Sequence, residues 1–156
     1  MKLKHTLLAA ALVGANAFLF AAPASAADKV CKLEITGNDL MQYDKKELKV
    51  AADCTTIELT LKHIGKLPAA SMGHNWVLSK TADSMAVGND GLGAGLPANY
   101  VKAGDKRVIA HTKVVGGGES DTIKFPTSAL KKGEDYTYEC TFPGHNALMK
   151  GKFTFG

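Results

Sequence analysis

The sequence predicts an all-β fold: one Greek-key sandwich or barrel of six to eight short strands, with a single short helical insertion near residues 81–96. Three observations carry this. Apolar residues alternate with polar ones in short runs, and Gly, Pro, Asn and Asp turn signals separate the runs. No internal repeat, coiled-coil heptad or low-complexity linker interrupts them.

Taken in order, Cys31, Leu33 and Ile35 share one face of a first strand. Residues 48–51 offer another short run, and Ile57, Leu59 and Leu61 share a face of the next. Further candidates are 74–78, 107–112, 121–125, 135–141 and 152–155. Between them, 81–96 lacks alternation and carries Asp83, Ser84, Met85, Ala86 and Val87 ahead of a Gly-rich stretch, which reads as a short helix with a loop.

Residues 1–26 stand apart from this pattern. Lys2 and Lys4 give a basic start, Leu7 to Phe20 an apolar run, and Ala24, Ser25 and Ala26 a small-residue cleavage site, the layout of a secretory signal peptide. The run is short for a ~20-residue membrane span and is broken by Gly14 and Asn16, so a retained anchor fits less well. Cleavage after Ala26 leaves residues 27–156, a common size for one domain around one core. It also removes Lys2 and Lys4 and no acidic residue, lowering the formal charge from +4 to +2. With one arginine, Arg107, and scattered lysines, no dense basic patch points to nucleic acid.

Three cysteines in an exported chain suggest one disulfide and one residue left over. Cys31 lies in the first strand and Cys54 just before the strand that holds Ile57, so pairing them would staple two strand regions together. The alternative is a pair of unlinked buried thiols.

The remaining cysteine opens a different pattern. Cys140, His145 and Met149 follow the spacing C-x4-H-x3-M, with Pro143 and Gly144 supplying a bend. Thiolate, imidazole and thioether form a soft-to-borderline donor set that suits both oxidation states of copper. A fourth ligand must come from elsewhere, and Met72-Gly73-His74-Asn75-Trp76 offers His74, expected on a strand with inward parity through Trp76 and Leu78. Two imidazoles and a thiolate in a plane, with a long bond to Met149, make the blue-copper arrangement used for electron transfer. Zinc is the rival metal, but its structural sites take Cys and His without Met, and its catalytic sites keep a position open.

These residues carry a resemblance. Met72 to Leu78, Arg107 to Lys113 and the Cys140 to Gly151 stretch are similar to the azurins, and the similarity extends to Gly37-Asn38-Asp39 and both early cysteines. The azurin resemblance implies an eight-stranded, cupredoxin-like sandwich with one type 1 copper near one end, cycling between Cu(I) and Cu(II). It implies a fifth, distant contact from the carbonyl of Gly73. It makes Asn75 a link between the two ligand segments near the Cys140 sulfur, helped by the backbone N–H of Phe142. The implied exchange port is the outer edge of His145, ringed by Met41, Leu67, Met72, Leu92, Pro143 and Ala147. A periplasmic, monomeric electron carrier follows, working with redox proteins such as c-type cytochromes or periplasmic reductases and not itself an enzyme.

Other residues read more plainly. His63 has inward parity, and the resemblance places it near the copper end, where it could couple the potential to pH. His111 is expected at the surface without a role, and Trp76 as a core anchor. Glu139 stands where azurins commonly carry an aromatic residue and has outward parity, so it is expected at the surface. A copper carrier and a copper enzyme remain competing functions, and a second metal cluster for an enzyme is not visible in the sequence.

Overall fold

Alternation becomes strand where one face can be buried. In the computed structural model, which describes residues 28–156, Ile57, Leu59, Leu61 and His63 of β4 (Thr56–His63) all turn into the core. The signal peptide expected at 1–26 lies outside the described residues.

One sheet has the order β2-β1-β4-β7, formed by β1 (Val30–Asn38), β2 (Gln42–Tyr43), β4 and β7 (Ser120–Pro126). The other has the order β3-β9-β8-β5-β6, from β3 (Glu47–Val50), β9 (Lys150–Phe155), β8 (Tyr136–Glu139), β5 (Val77–Lys80) and β6 (Ala110–His111). The pairs β1–β4 and β3–β9 are parallel and the others antiparallel. Parallel neighbours arise because the chain leaves the first sheet after β2, adds β3 to the second, and returns for β4. The predicted sandwich is present.

Aromatic rings fill the space between the sheets. Trp76 is fully buried, 6.0 Å from the Tyr138 ring, 6.1 Å from Phe125 and 6.2 Å from Phe153, so it is the core anchor expected. Leu59 and Leu61 pack into the same cluster, each burial contributing about 1.5–3 kcal/mol of transfer free energy.

Among the described residues there are nine strands, and they differ from the expected ones in places. The two-residue strand β2 has too few positions to alternate. A single turn, α1 (Ala69–Met72), follows Pro68 and is likewise too short to show a helical period. The predicted insertion at 81–96 contains α2 (Ser84–Leu92), and a 3-10 turn at Leu96–Ala98 begins at its last residue and runs beyond it. The run at 107–112 shrinks to two paired residues, since Asp105 accepts hydrogen bonds from the backbone N–H of Arg107 at 3.0 Å and from its Nε at 2.8 Å. The run at 74–78 contributes only Val77 and Leu78 to β5, and His74 instead makes an isolated antiparallel bridge with Val115.

Glu139 is not at the surface. The helix α2 lies over the outer side of β5 and β8, and Val87 and Val101 cover Val77 there, so both faces of this part of the sheet are buried. Glu139 is 3% exposed, its Oε1 has no hydrogen-bond partner, and burial pushes its carboxyl up to about 7. Parity located the correct face, but a covering helix leaves that face no solvent.

Cys31 and Cys54 form the disulfide, tying β1 to the turn before β4 across 23 residues. Replacing both by alanine is expected to lower the unfolding free energy by about 3 kcal/mol in the chain-entropy view. Denaturant unfolding checks this, and a copper site unaltered in the same variant would show that the staple serves stability alone.

Candidate metal centre

The segment after β8 folds back onto itself. Cys140 directly follows β8 and Met149 directly precedes β9, and the Cys140 N–H donates to the Met149 carbonyl at 2.8 Å. Between them His145 N–H donates to the Phe142 carbonyl at 3.0 Å and Met149 N–H to the His145 carbonyl at 2.8 Å, with Gly144 at φ 81° in the bend. The loop is therefore a hydrogen-bonded unit whose two ends are fixed by adjacent strands.

His74 reaches the same place from the other side. The ligand atoms of His74, Cys140 and His145 all lie within 4.8 Å of one another, and Cys140 Sγ is 3.6 Å from His145 Nδ1. Met149 is fully buried beside them. Gly37 of β1 makes room for two members of the set: an added Cβ would sit 2.7 Å from His74 Cδ2 and 3.3 Å from Met149 Cε. A side chain there would displace His74 and press on Met149.

Protonation follows from the partners. The Nε2–H of His74 donates to the Asn38 carbonyl at 2.8 Å, which leaves Nδ1 with a bare lone pair, buried and without a hydrogen-bond partner. Burial, then the nearby His74 and His63, lowers His145 from its ordinary 6.5 to about 4, so its neutral, ligating form prevails. Burial pushes the Cys140 thiol up to about 12, against the pull of backbone N–H groups of Asn75 and Phe142. A thiolate in this enclosure therefore needs a cation beside it. An orphaned imidazole nitrogen, a buried sulfur, a second neutral imidazole and a thioether fit copper and leave little reason for zinc.

Asn75 hydrogen-bonds from the His74 segment to the Cys140 segment. Its Nδ2 donates to Thr141 Oγ1 and to the Asn99 carbonyl, both at 2.7 Å, and its Oδ1 accepts the Thr141 N–H at 2.9 Å. This also explains the broken strand at 74–78, because Trp76 N–H turns to Thr112 Oγ1 instead of a ladder carbonyl. His63 is stacked on His74, ring centroids 4.3 Å apart and 8° from parallel. Its Nε2–H donates to the Met72 carbonyl at 2.8 Å and its Nδ1 accepts the Gly65 N–H. His111 is exposed.

Of the implied docking ring, Leu67, Leu92, Pro143 and Ala147 are exposed and Met41 and Met72 half-buried. Gly37, Asn38 and Thr141 shape the centre in ways their positions in the sequence do not announce. Gly37 and Asn38 lie about a hundred positions before Cys140, and only the folded sheet brings them to it.

Residues 29–156 match the model of the copper-binding proteins of the plastocyanin/azurin family. The chain belongs to that family. It is 57% identical over 132 residues to an azurin of Bordetella pertussis, covering 85% of this chain and 87% of that one. It is 59% identical over 121 residues to azurin-1 of Alcaligenes xylosoxydans xylosoxydans, covering 78% and 94% respectively. Among solved structures it is similar to an azurin, iso-2, of the methylotroph Methylomonas sp. strain J, with a TM-score of 0.78 and 44% identity over 81% of this chain and 98% of that one. The cluster is a type 1 copper site with His74, Cys140, His145 and Met149 as its ligand set.

Depressed histidine basicity makes the metal-free protein acid-sensitive. The folded chain binds the His145 proton more weakly than the unfolded chain, so between pH 6.5 and about 4 the unfolded state takes up more protons and stability falls as the pH drops. Glu139, raised to about 7, has the opposite sign, so the informative quantity is the difference between the parent and His145→Gln. Urea unfolding of both metal-free proteins from pH 7 to 4 is expected to show a shallower decline in the variant.

Proposed function

We propose that this chain is exported to the periplasm, cleaved after Ala26, and acts there as a monomeric blue-copper carrier that moves single electrons between redox proteins such as c-type cytochromes and periplasmic reductases. The observation that carries the reading is the buried set of Cys140, His145, His74 and Met149, held on two segments that Asn75 ties together. Copper bound there supplies a one-electron couple.

The protein's part is to keep its donors still. Ligands pinned by backbone hydrogen bonds and packed side chains move little between oxidation states, which keeps the reorganisation cost of electron transfer low. The Gly73 carbonyl would supply the fifth, distant contact, and the N–H groups of Asn75 and Phe142 stabilise negative charge on the Cys140 sulfur. The enclosed set leaves no position for a substrate, consistent with a carrier and not an enzyme. A copper store needs ligands that exchange readily, which this enclosure opposes.

His145 is the ligand that lies between Pro143 and Ala147 on the β8–β9 loop, and its ring packs 4.6 Å from Phe142. Its outer edge is the exchange port in this reading. Met41, Leu67, Met72, Leu92, Pro143 and Ala147 make an apolar surface suited to brief docking, since redox encounters use small interfaces, often below ~1,200 Å².

Two measurements test the reading. The Cu(II)-loaded protein is expected to show an intense visible thiolate-to-copper band that Cys140→Ser abolishes. A colourless parent would overturn the site. Leu92→Asp is expected to leave that band unchanged while slowing bimolecular electron exchange with a c-type cytochrome about tenfold, the size of a single interface residue's effect. Stopped-flow absorbance reads the rate, and an unchanged rate would move the docking surface elsewhere.

A further inference from the structure

Two tyrosines cross between the sheets near the centre in opposite directions. Tyr43, on β2 of the first sheet, donates its phenol O–H to the carbonyl of Asn75, the residue after His74. Tyr138, on β8 of the second sheet and two residues before Cys140, donates its O–H to the carbonyl of Lys45 at 2.7 Å. Both side chains are buried, and their rings meet edge to face at 5.7 Å. The stretch 43–45 thus holds the His74 segment through one phenol and the Cys140 strand through the other.

The arrangement is built into the fold at several points. The Asn75 carbonyl falls where the ladder is broken between the His74–Val115 bridge and β5, and no backbone N–H among the described residues donates to it. A buried carbonyl needs a partner, and Tyr43 is the one that reaches it. Gly151 of β9 clears the way for the other phenol, because an added Cβ there would overlap the Tyr138 hydroxyl. Asn75 is consequently pinned at both ends, its side chain to Thr141 and its carbonyl to Tyr43. Burial holds both phenols protonated, so both remain donors.

We propose that Tyr43 and Tyr138 are positioning residues of the copper centre: by anchoring both ligand segments to residues 43–45, they fix the separation of His74 from Cys140. The inference rests on the copper-site reading above. Neither phenol hydrogen-bonds a ligand atom, and each acts through the backbone carbonyl to which it donates. Outer groups that orient ligands typically change metal affinity by about 10–100-fold when removed.

Tyr43→Phe, Tyr138→Phe and the double variant keep the rings and remove the hydroxyls. Each single variant is expected to shift the thiolate-to-copper band and the EPR copper hyperfine splitting and to weaken metal affinity about tenfold. In the double variant the loss should be smaller than the product of the single losses, since both ties end on the same stretch. Ile57→Val, a core change away from this link, serves as a control for stability loss and should leave both spectra unchanged. Spectra of the tyrosine variants superimposable on the parent's, with stability alone reduced, would overturn the proposal. Should a phenylalanine variant fail to fold, 3-fluorotyrosine placed at position 43 keeps the shape and changes the strength of the donated bond, and an unmoved EPR signal would overturn it equally. A parent without a thiolate-to-copper band would instead sink the copper-site reading itself.

Discussion

Asn75 is where the two halves of the centre become one object. The donors come from opposite directions, His74 from a segment between α1 and β5, and Cys140, His145 and Met149 from the turn between β8 and β9. Without a link, the gap between these segments would be set only by packing. Three short hydrogen bonds from a single amide, two to Thr141 and one to Asn99, replace that soft constraint with a directional one. The amide is fully buried, so none of these bonds competes with water, and a group that loses its partner there incurs its full desolvation penalty. Much else at this end, including the break in the strand before β5, follows from giving Asn75 partners other than a neighbouring ladder.

The same region illustrates how burial selects chemistry. A free thiol in this enclosure resists ionisation, and a protonated imidazole is equally unwelcome. Each ligand alone would be forced neutral. A soft cation reverses the preference for the sulfur while accepting the neutral imidazoles as they stand, so the donor set and its low-polarity surroundings call for the same kind of ion. Gly37 contributes by absence of bulk, letting His74 and Met149 share one wall of β1.

Much of this was legible in the chain because the ligands from the β8–β9 turn are close in sequence: Cys140, His145 and Met149 sit within one loop whose spacing states its chemistry. The alternating runs gave the strands for a similar reason, since period two is a local property and needs no knowledge of partners. What stayed hidden depends on elements distant in sequence. Glu139 has the parity of an outward residue, but α2, some fifty positions earlier, covers that face. His74 reads as a strand residue until the side chains of Thr112 and Thr141, from two other segments, take up its neighbours' hydrogen bonds. Tyr43 lies on a two-residue strand that no pattern announces, and its phenol meets a carbonyl 32 residues away.

The hydrogen bond from Cys140 to the Met149 carbonyl closes the ligand loop where two antiparallel strands already lie side by side. Between those ends the loop meets the rest of the sandwich at Thr141, which Asn75 holds, and at Phe142, whose ring packs on Tyr100. The exposed Pro143, Ala147 and Leu148 side chains carry none of these ties and are free to change under selection for a different partner while β8 and β9 keep their register. In evolutionary terms the scaffold and the outer edge of the ligand loop are separately heritable, and a lineage can retune one without putting the other at risk.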